Sequence, residues 1–140
     1  YMVINKGIGE MMPKLKALLD SEFRDFKTKY DDLEIRGIYA IYEGDEVIYI
    51  GESRNIKDRL YNHLLKLKGN HNLRTEKLCG YKNLDTNEEI LDFLLTKCRF
   101  KVIGEIYKDR LEKFAIGVIN PKFNSERVRI KKWLRYPFNQ

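Results

Sequence analysis

The stretch "RGIYAIYEGDEVIYIG", residues 36–51, constrains the fold of this chain more than any other. Two runs rich in β-branched and aromatic residues flank "EGDE", where Gly44 and Asp45 supply turn chemistry. The segment therefore reads as two antiparallel strands joined by a hairpin. Strand side chains alternate faces, so the turn decides which of Tyr39, Tyr42 and Tyr49 lie together. A two-residue turn at Gly44-Asp45 pairs Tyr49 with Ala40 and sends Tyr39 to the opposite face. A three-residue connection, Glu43 to Asp45, or a bulge instead pairs Tyr39 with Tyr49. Tyr42 is an odd step from Tyr39 and should face away, as packing.

Helical patterns surround the hairpin. Before it, Leu15, Leu18, Leu19, Phe23, Phe26 and Tyr30 recur every three or four residues after Pro13. That spacing predicts an amphipathic helix opened by the proline and ended by "DDLE". After the hairpin, "NIKDRLYNHLLKLKG" predicts a helix capped by Asn55, with Ile56, Leu60, Leu64 and Leu67 as its stripe and Gly69 as its stop. A polar stretch follows, "NHNLRTEKLCGYKNLDTN", read as a long loop with a turn or short helix. Then come a helix in "EEILDFLLTK", a strand in "FKVIGEI" and a helix in "KDRLEKFAIGVI" broken by Pro121.

Composition narrows the setting. With 140 residues, 43% of them hydrophobic, the chain suits one domain with its own core. No apolar run approaches the roughly 20 residues of a membrane span, and the start lacks the pattern of a secretory signal. Cys79 and Cys98 form neither a C-x-x-C nor a zinc-type pattern with His63 and His71, so they read as half-buried thiols without a role in a reduced chain. The expectation is a soluble, cytoplasmic protein that does not engage membranes. Net charge is +6, and the surplus is uneven: 11 basic and 4 acidic residues fall from Arg99 onward, +7 against −1 before it. "ERVRIKKWLRY" is the densest part, suited either to phosphate contact or to a solvated edge strand whose charges block pairing.

On a helix of roughly 100° per residue, Arg59 and His63 sit four apart on the shoulder of the second helix's apolar stripe. In the last helix Leu111, Ala115 and Val118 define the stripe, with Glu112 on its shoulder. A shoulder beside a sheet is where a polar group reaches a cleft. Taken singly, these are an ordinary surface arginine, a structural histidine and a solvated carboxylate.

Their order along the chain says more. "GIY" at 37–39, nine residues, "YIG" at 49–51, an arginine ten positions after Tyr49, a glutamate in a later helix and an asparagine closing "PKFN" together resemble the GIY-YIG nuclease family. The resemblance covers about residues 36–125, and "EKFAIGVINPKFN" is especially similar to the nuclease domain of nucleotide-excision-repair endonucleases. It implies an α+β domain whose three-stranded antiparallel sheet is flanked by helices. An N-terminal helical extension (1–35) and a basic C-terminal tail (126–140) are then additions to the nuclease domain (36–125).

It also implies metal-dependent cleavage of DNA. A phosphodiester is shielded by its own charge, so a catalyst must deliver a deprotonated nucleophile, offset charge at phosphorus and stabilise the departing 3′-oxygen. Glu112 matches the family's metal-binding glutamate, and one carboxylate suits Mg²⁺, with Mn²⁺ as a substitute. Arg59 matches the family arginine, whose planar fork clamps phosphate. Tyr39 and Tyr49 match the signature tyrosines. Tyr39 is chosen as the base that activates water, with Tyr49 bonding or positioning it, and joint action makes the odd-length loop the expected connection. A phenol with a pKa near 10 needs nearby cations for such a role. His63 stands where relatives carry His or Tyr and would relay a proton or bind phosphate. Asn124 would fix the loop after the last helix through backbone hydrogen bonds, and Gly37 and Gly51 would permit close backbone approach. Arg54, Lys57, Lys66 and Lys122, with Arg127, Arg129, Lys131 and Lys132 of the tail, are the candidates for DNA contact.

Two alternatives stay open: a DNA-binding module that keeps the fold without turnover, and a restriction or homing type rather than a repair or structure-selective nuclease. Target choice falls to the flanking segments, to a homodimer or to a partner protein, since base readout depends on geometry that composition does not carry.

Overall fold

The hairpin forms as strands β2, Gly37–Glu43, and β3, Glu46–Ser53. The computed structural model describes residues 2–66, 71, 73, 78, 80–104 and 108–124. Gly44 sits at φ +59° in a two-residue turn, the first position of a type II′ connection, which glycine fills without steric cost. The expected three-residue loop is therefore absent, and the other route to the same parity is taken. Tyr42 faces Val47 and Ile41 faces Tyr49, leaving Ile48 as a bulge. Ile48 and Tyr49, adjacent in sequence, consequently pack into the same core, with Ile41 and Tyr39. Tyr39 lies opposite Gly51, two residues along from Tyr49 rather than directly across. Tyr42 packs into the other core, as its odd step requires.

β2 also pairs antiparallel with β4, Cys98–Gly104, and β4 with β1, Arg24–Asp25, so the sheet runs β1-β4-β2-β3. It has four strands, not three. β1 spans only two residues, too short for any alternation to mark it. Residues from both faces of the central strand are buried, giving three layers. One core joins Phe26, Tyr39, Ile41, Tyr49, Leu60, Phe93 and Phe100, the other Leu15, Leu18, Ile38, Ala40, Ile50, Leu111 and Ala115.

Helix α1, Met2–Asp20, begins well before Pro13 and carries the proline inside it. Gly7 and Gly9 and the lack of a clear stripe hide that first half. The interior proline forfeits a hydrogen bond, at about 3 kcal/mol. Full burial of Leu15 and Leu18 offsets it at about 1.5–3 kcal/mol each. The helix stops where the Ser21 backbone N–H and hydroxyl both donate to the Leu18 carbonyl. Phe26 and Tyr30 lie beyond it and enter the opposite core, so their helical spacing is coincidental. Helix α2, Asn87–Lys97, opens with a capping box between Thr86 and Glu89. In helix α3, Lys108–Ile119, Val118 is exposed and Ile116 is buried in its place. The stripe of buried Leu111, Ala115 and Ile116 with partly buried Ile119 thus turns to within roughly 35° of Glu112. Among the described residues no helix is long and apolar enough to cross a membrane.

β3 is an edge strand, and the segment after α3 covers it. The Phe123 N–H donates to the Ile48 carbonyl at 2.8 Å. Asn124, 3% exposed, accepts from the Ile50 N–H at 2.8 Å and donates to the Ile50 carbonyl at 2.6 Å. Its amide thus completes an edge that would otherwise be open. Replacing Asn124 with Ala strands both Ile50 groups, and urea unfolding should show a loss of about 2–4 kcal/mol.

Candidate active site

Tyr39 is the centre of the site. Its ring is 1% exposed and lies across Gly51 on the neighbouring strand. A Cβ at Gly51 would collide with the phenol oxygen and the Cζ of Tyr39, so the glycine makes room for a side chain rather than for backbone. Gly37 has the other cause: a Cβ there would strike the Ile103 carbonyl of β4. Gly51→Ala should therefore expel the phenol, lowering stability by about 1–3 kcal/mol and cleavage by about a hundredfold. Thermal melts and single-turnover rates check both.

Tyr49 packs beside Tyr39 with ring centroids 6.2 Å apart, on the face that the bulge assigns it. Arg59 reaches the Tyr39 phenol within hydrogen-bonding range, and Glu112 lies near enough to act on it electrostatically. The segment that carries Arg59 winds as a π-helix over Asp58–Leu65, not as the expected α-helix. The Lys66 N–H donates to the Tyr61 carbonyl five residues back, at 2.9 Å. Asn55 caps it as expected, accepting from the Asp58 N–H at 3.0 Å. The wider winding aligns residues five apart: His63 Nε2 is 3.4 Å from Asp58 Oδ2. His63 Nδ1 lies 3.4 Å from Arg59 Nη1. Arg59 is thereby held between a histidine on its own helix and a phenol on the sheet.

His71, fully buried, completes the cluster. Its Nε2 is 2.9 Å from the Tyr39 oxygen, and its ring lies 5.5 Å from that of Tyr49. The sequence weighed it only as a zinc ligand; it sits in an aperiodic polar stretch where no pattern could have placed it. Burial holds the Tyr39 phenol well above its ordinary pKa, Tyr49 pushes the same way, and Arg59 opposes them. Tyr39 is thus protonated at neutral pH, and each unit of pH below its pKa costs tenfold in phenolate. If Tyr39 is the base, the cleavage rate should rise about tenfold per pH unit between about pH 6 and 9 without a plateau.

Among the described residues no three His, Cys, Asp or Glu side chains converge as a metal cage. Glu112, half-buried, offers one carboxylate. That donor set fits Mg²⁺, which keeps most of its waters and takes further ligands from phosphate, and does not fit a structural zinc.

The expected DNA contacts are scattered around this cluster. Arg54 is exposed, Lys57 pairs with Glu34 at 3.7 Å, and Lys66 lies over the Tyr61 ring at 5.3 Å. Lys122 sits at the hairpin turn, 3.3 Å from Glu46 and 3.1 Å from the Tyr81 oxygen. Such surface pairs are worth about 0–1 kcal/mol, little enough for a phosphate to displace. Arg127, Arg129, Lys131 and Lys132 lie outside the described residues. A cleft of about 670 Å³ against α2 is lined by Glu43, Glu88, Glu89 and Asp92 with Lys82 and Lys97. Its excess of carboxylates disfavours phosphate, and none of the residues above lines it. Cys98, a free thiol, is buried and its pKa is pushed up to about 12, so it is inert.

No curated protein matches the chain. Among solved structures, the N-terminal GIY-YIG endonuclease domain of UvrC from Thermotoga maritima, bound to its catalytic magnesium, is 19% identical. The match covers 81% of this chain and 99% of that domain, with a TM-score of 0.39. A point mutant of that domain, also bound to its catalytic divalent cation, is 18% identical over 81% and 99% of the two chains, again at 0.39. The model of the GIY-YIG catalytic domain matches residues 35–124. With that match spanning most of its length, the chain belongs to the GIY-YIG family and carries a nuclease domain.

Proposed function

We propose that the protein is a metal-dependent DNA endonuclease in which Tyr39 activates water, Arg59 clamps the scissile phosphate and Glu112 holds Mg²⁺. The observation that carries this reading is the meeting of Arg59 and His71 at one buried phenol oxygen, with Glu112 close by. A buried phenol is a poor base unless positive charge offsets its desolvation, and Arg59 is the group that supplies positive charge to it. Mg²⁺ on Glu112 would supply further positive charge to the phosphate and the departing 3′-oxygen. Tyr39 takes the proton from water, Tyr49 orients that water, and Arg59 favours the more highly charged transition state. His63, bridged between Asp58 and Arg59, holds the guanidinium in register and offers a second proton carrier. Asn124 and Gly37 act through β3 and β2, keeping the strands beneath the phenols in place.

Arg54, Lys57, Lys66, Lys122 and the tail's Arg127, Arg129, Lys131 and Lys132 would contact the DNA backbone, with α1 and the tail as additions to the nuclease domain. Cys98, free and inert, accords with a cytoplasmic protein. Target choice comes from these flanking segments, from self-association or from a partner. The test is to offer duplex, nicked, flapped and junction DNA, and matched RNA, with Mg²⁺. Preference for branched DNA is the expected result and marks structure-selective or repair cleavage. A discrete ladder on plain duplex marks a restriction or homing type. Tight DNA binding without cleavage of any substrate would leave a binding module and defeat the proposal.

A further inference from the structure

His71 presents both ring nitrogens to fixed partners. Nδ1 accepts the Leu73 backbone N–H at 3.2 Å, and Nε2 lies 2.9 Å from the Tyr39 oxygen. A backbone N–H can only donate, so Nδ1 carries the lone pair and the proton of the neutral ring resides on Nε2. The bond to Tyr39 therefore runs from Nε2–H to the phenol oxygen. Arg59, also a donor only, is the second group within reach of that oxygen. Two donors on one oxygen direct the hydroxyl proton of Tyr39 away from both and favour its departure, because each bond strengthens as the oxygen gains charge.

Resting on the reading of Tyr39 as the base, we propose that His71 is a positioning residue: locked in the Nε2–H tautomer by Leu73, it donates to Tyr39 and stabilises its phenolate. It is not the acceptor of a Tyr-to-His proton relay, since Nε2 already bears a proton. Its ring also packs within 5.5 Å of Tyr49, so one side chain sets both tyrosines.

Glutamine, asparagine and alanine separate these roles. The amide nitrogen of Gln overlays the imidazole Nε2 and keeps a donor toward Tyr39. Asn keeps only an acceptor near Nδ1. In single-turnover cleavage with Mg²⁺, His71→Gln should stay within about threefold of the parent, while His71→Asn and His71→Ala should fall about ten- to a hundredfold. DNA affinity should be unchanged in all three. Rescue by Asn rather than Gln, or a folded Gln variant as slow as Ala, overturns the proposal. Nitrogen NMR of the parent protein decides the tautomer without any cleavage assay, with the His71→Gln spectrum assigning the resonances. A pyrrole-like Nε2 and pyridine-like Nδ1 are expected, and the reverse overturns the assignment. If the parent cleaves nothing, the nuclease reading falls, while the NMR result still decides whether His71 donates to Tyr39.

Discussion

Tyr39→Phe is expected to slow DNA cleavage by about a thousandfold, within the range that a positioned general base contributes. The substitution removes one oxygen and leaves the ring across Gly51. It deprives His71 and Arg59 of a shared acceptor, a loss of about 1–3 kcal/mol, which a domain of this size survives. Far-ultraviolet dichroism and the urea midpoint should show a folded protein, and filter binding should show DNA affinity near that of the parent. Tyr49→Phe should cost only about tenfold, since positioning a water is worth less than deprotonating it. Equal losses from the two variants would mean that the tyrosines share the proton. A larger loss from Tyr49→Phe would transfer the role of base to Tyr49.

Glu112→Gln should abolish the response to Mg²⁺. Glutamine keeps the size of the side chain and removes the charge proposed to hold a divalent ion, so raising Mg²⁺ should not restore activity. The expected loss is about a thousandfold or more, because charge stabilisation at phosphorus is the largest single contribution to such a reaction. Removing the negative charge also lessens repulsion of the phosphate backbone, so DNA binding without metal should be unimpaired or tighter. Residual Mg²⁺-stimulated cleavage close to the parent rate would place the ion elsewhere.

Much of the fold was legible because its strongest periodicities are local. The hairpin, Asn55 as a cap, α2, α3 and the alternation that sends Tyr42 away from Tyr39 all follow from spacing and turn chemistry. What sequence left open is where tertiary packing overrides local geometry. Parity could be met by an odd loop or by a bulge, and residue types alone do not choose between them; the chain takes the bulge at Ile48. π-winding is invisible in residue types, because four- and five-residue alignments differ only in what lies opposite them. The Phe26 and Tyr30 spacing continued a helix that the chain had already left. Within the candidate site, Tyr39, Tyr49, Arg59 and Glu112 were brought forward by the order of motifs along the chain. His71 was not, since its contact with Tyr39 joins residues 32 apart through a segment with no period.

The most direct measurement of the central claim is single-turnover cleavage of a 5′-labelled flapped duplex by the parent protein, with Mg²⁺ or with EDTA, in water enriched in heavy oxygen. Cleavage confined to Mg²⁺, with 3′-hydroxyl and 5′-phosphate ends and one solvent oxygen in the new phosphate, is the predicted result. Cleavage undiminished by EDTA, or binding with no cleavage in Mg²⁺, would contradict it.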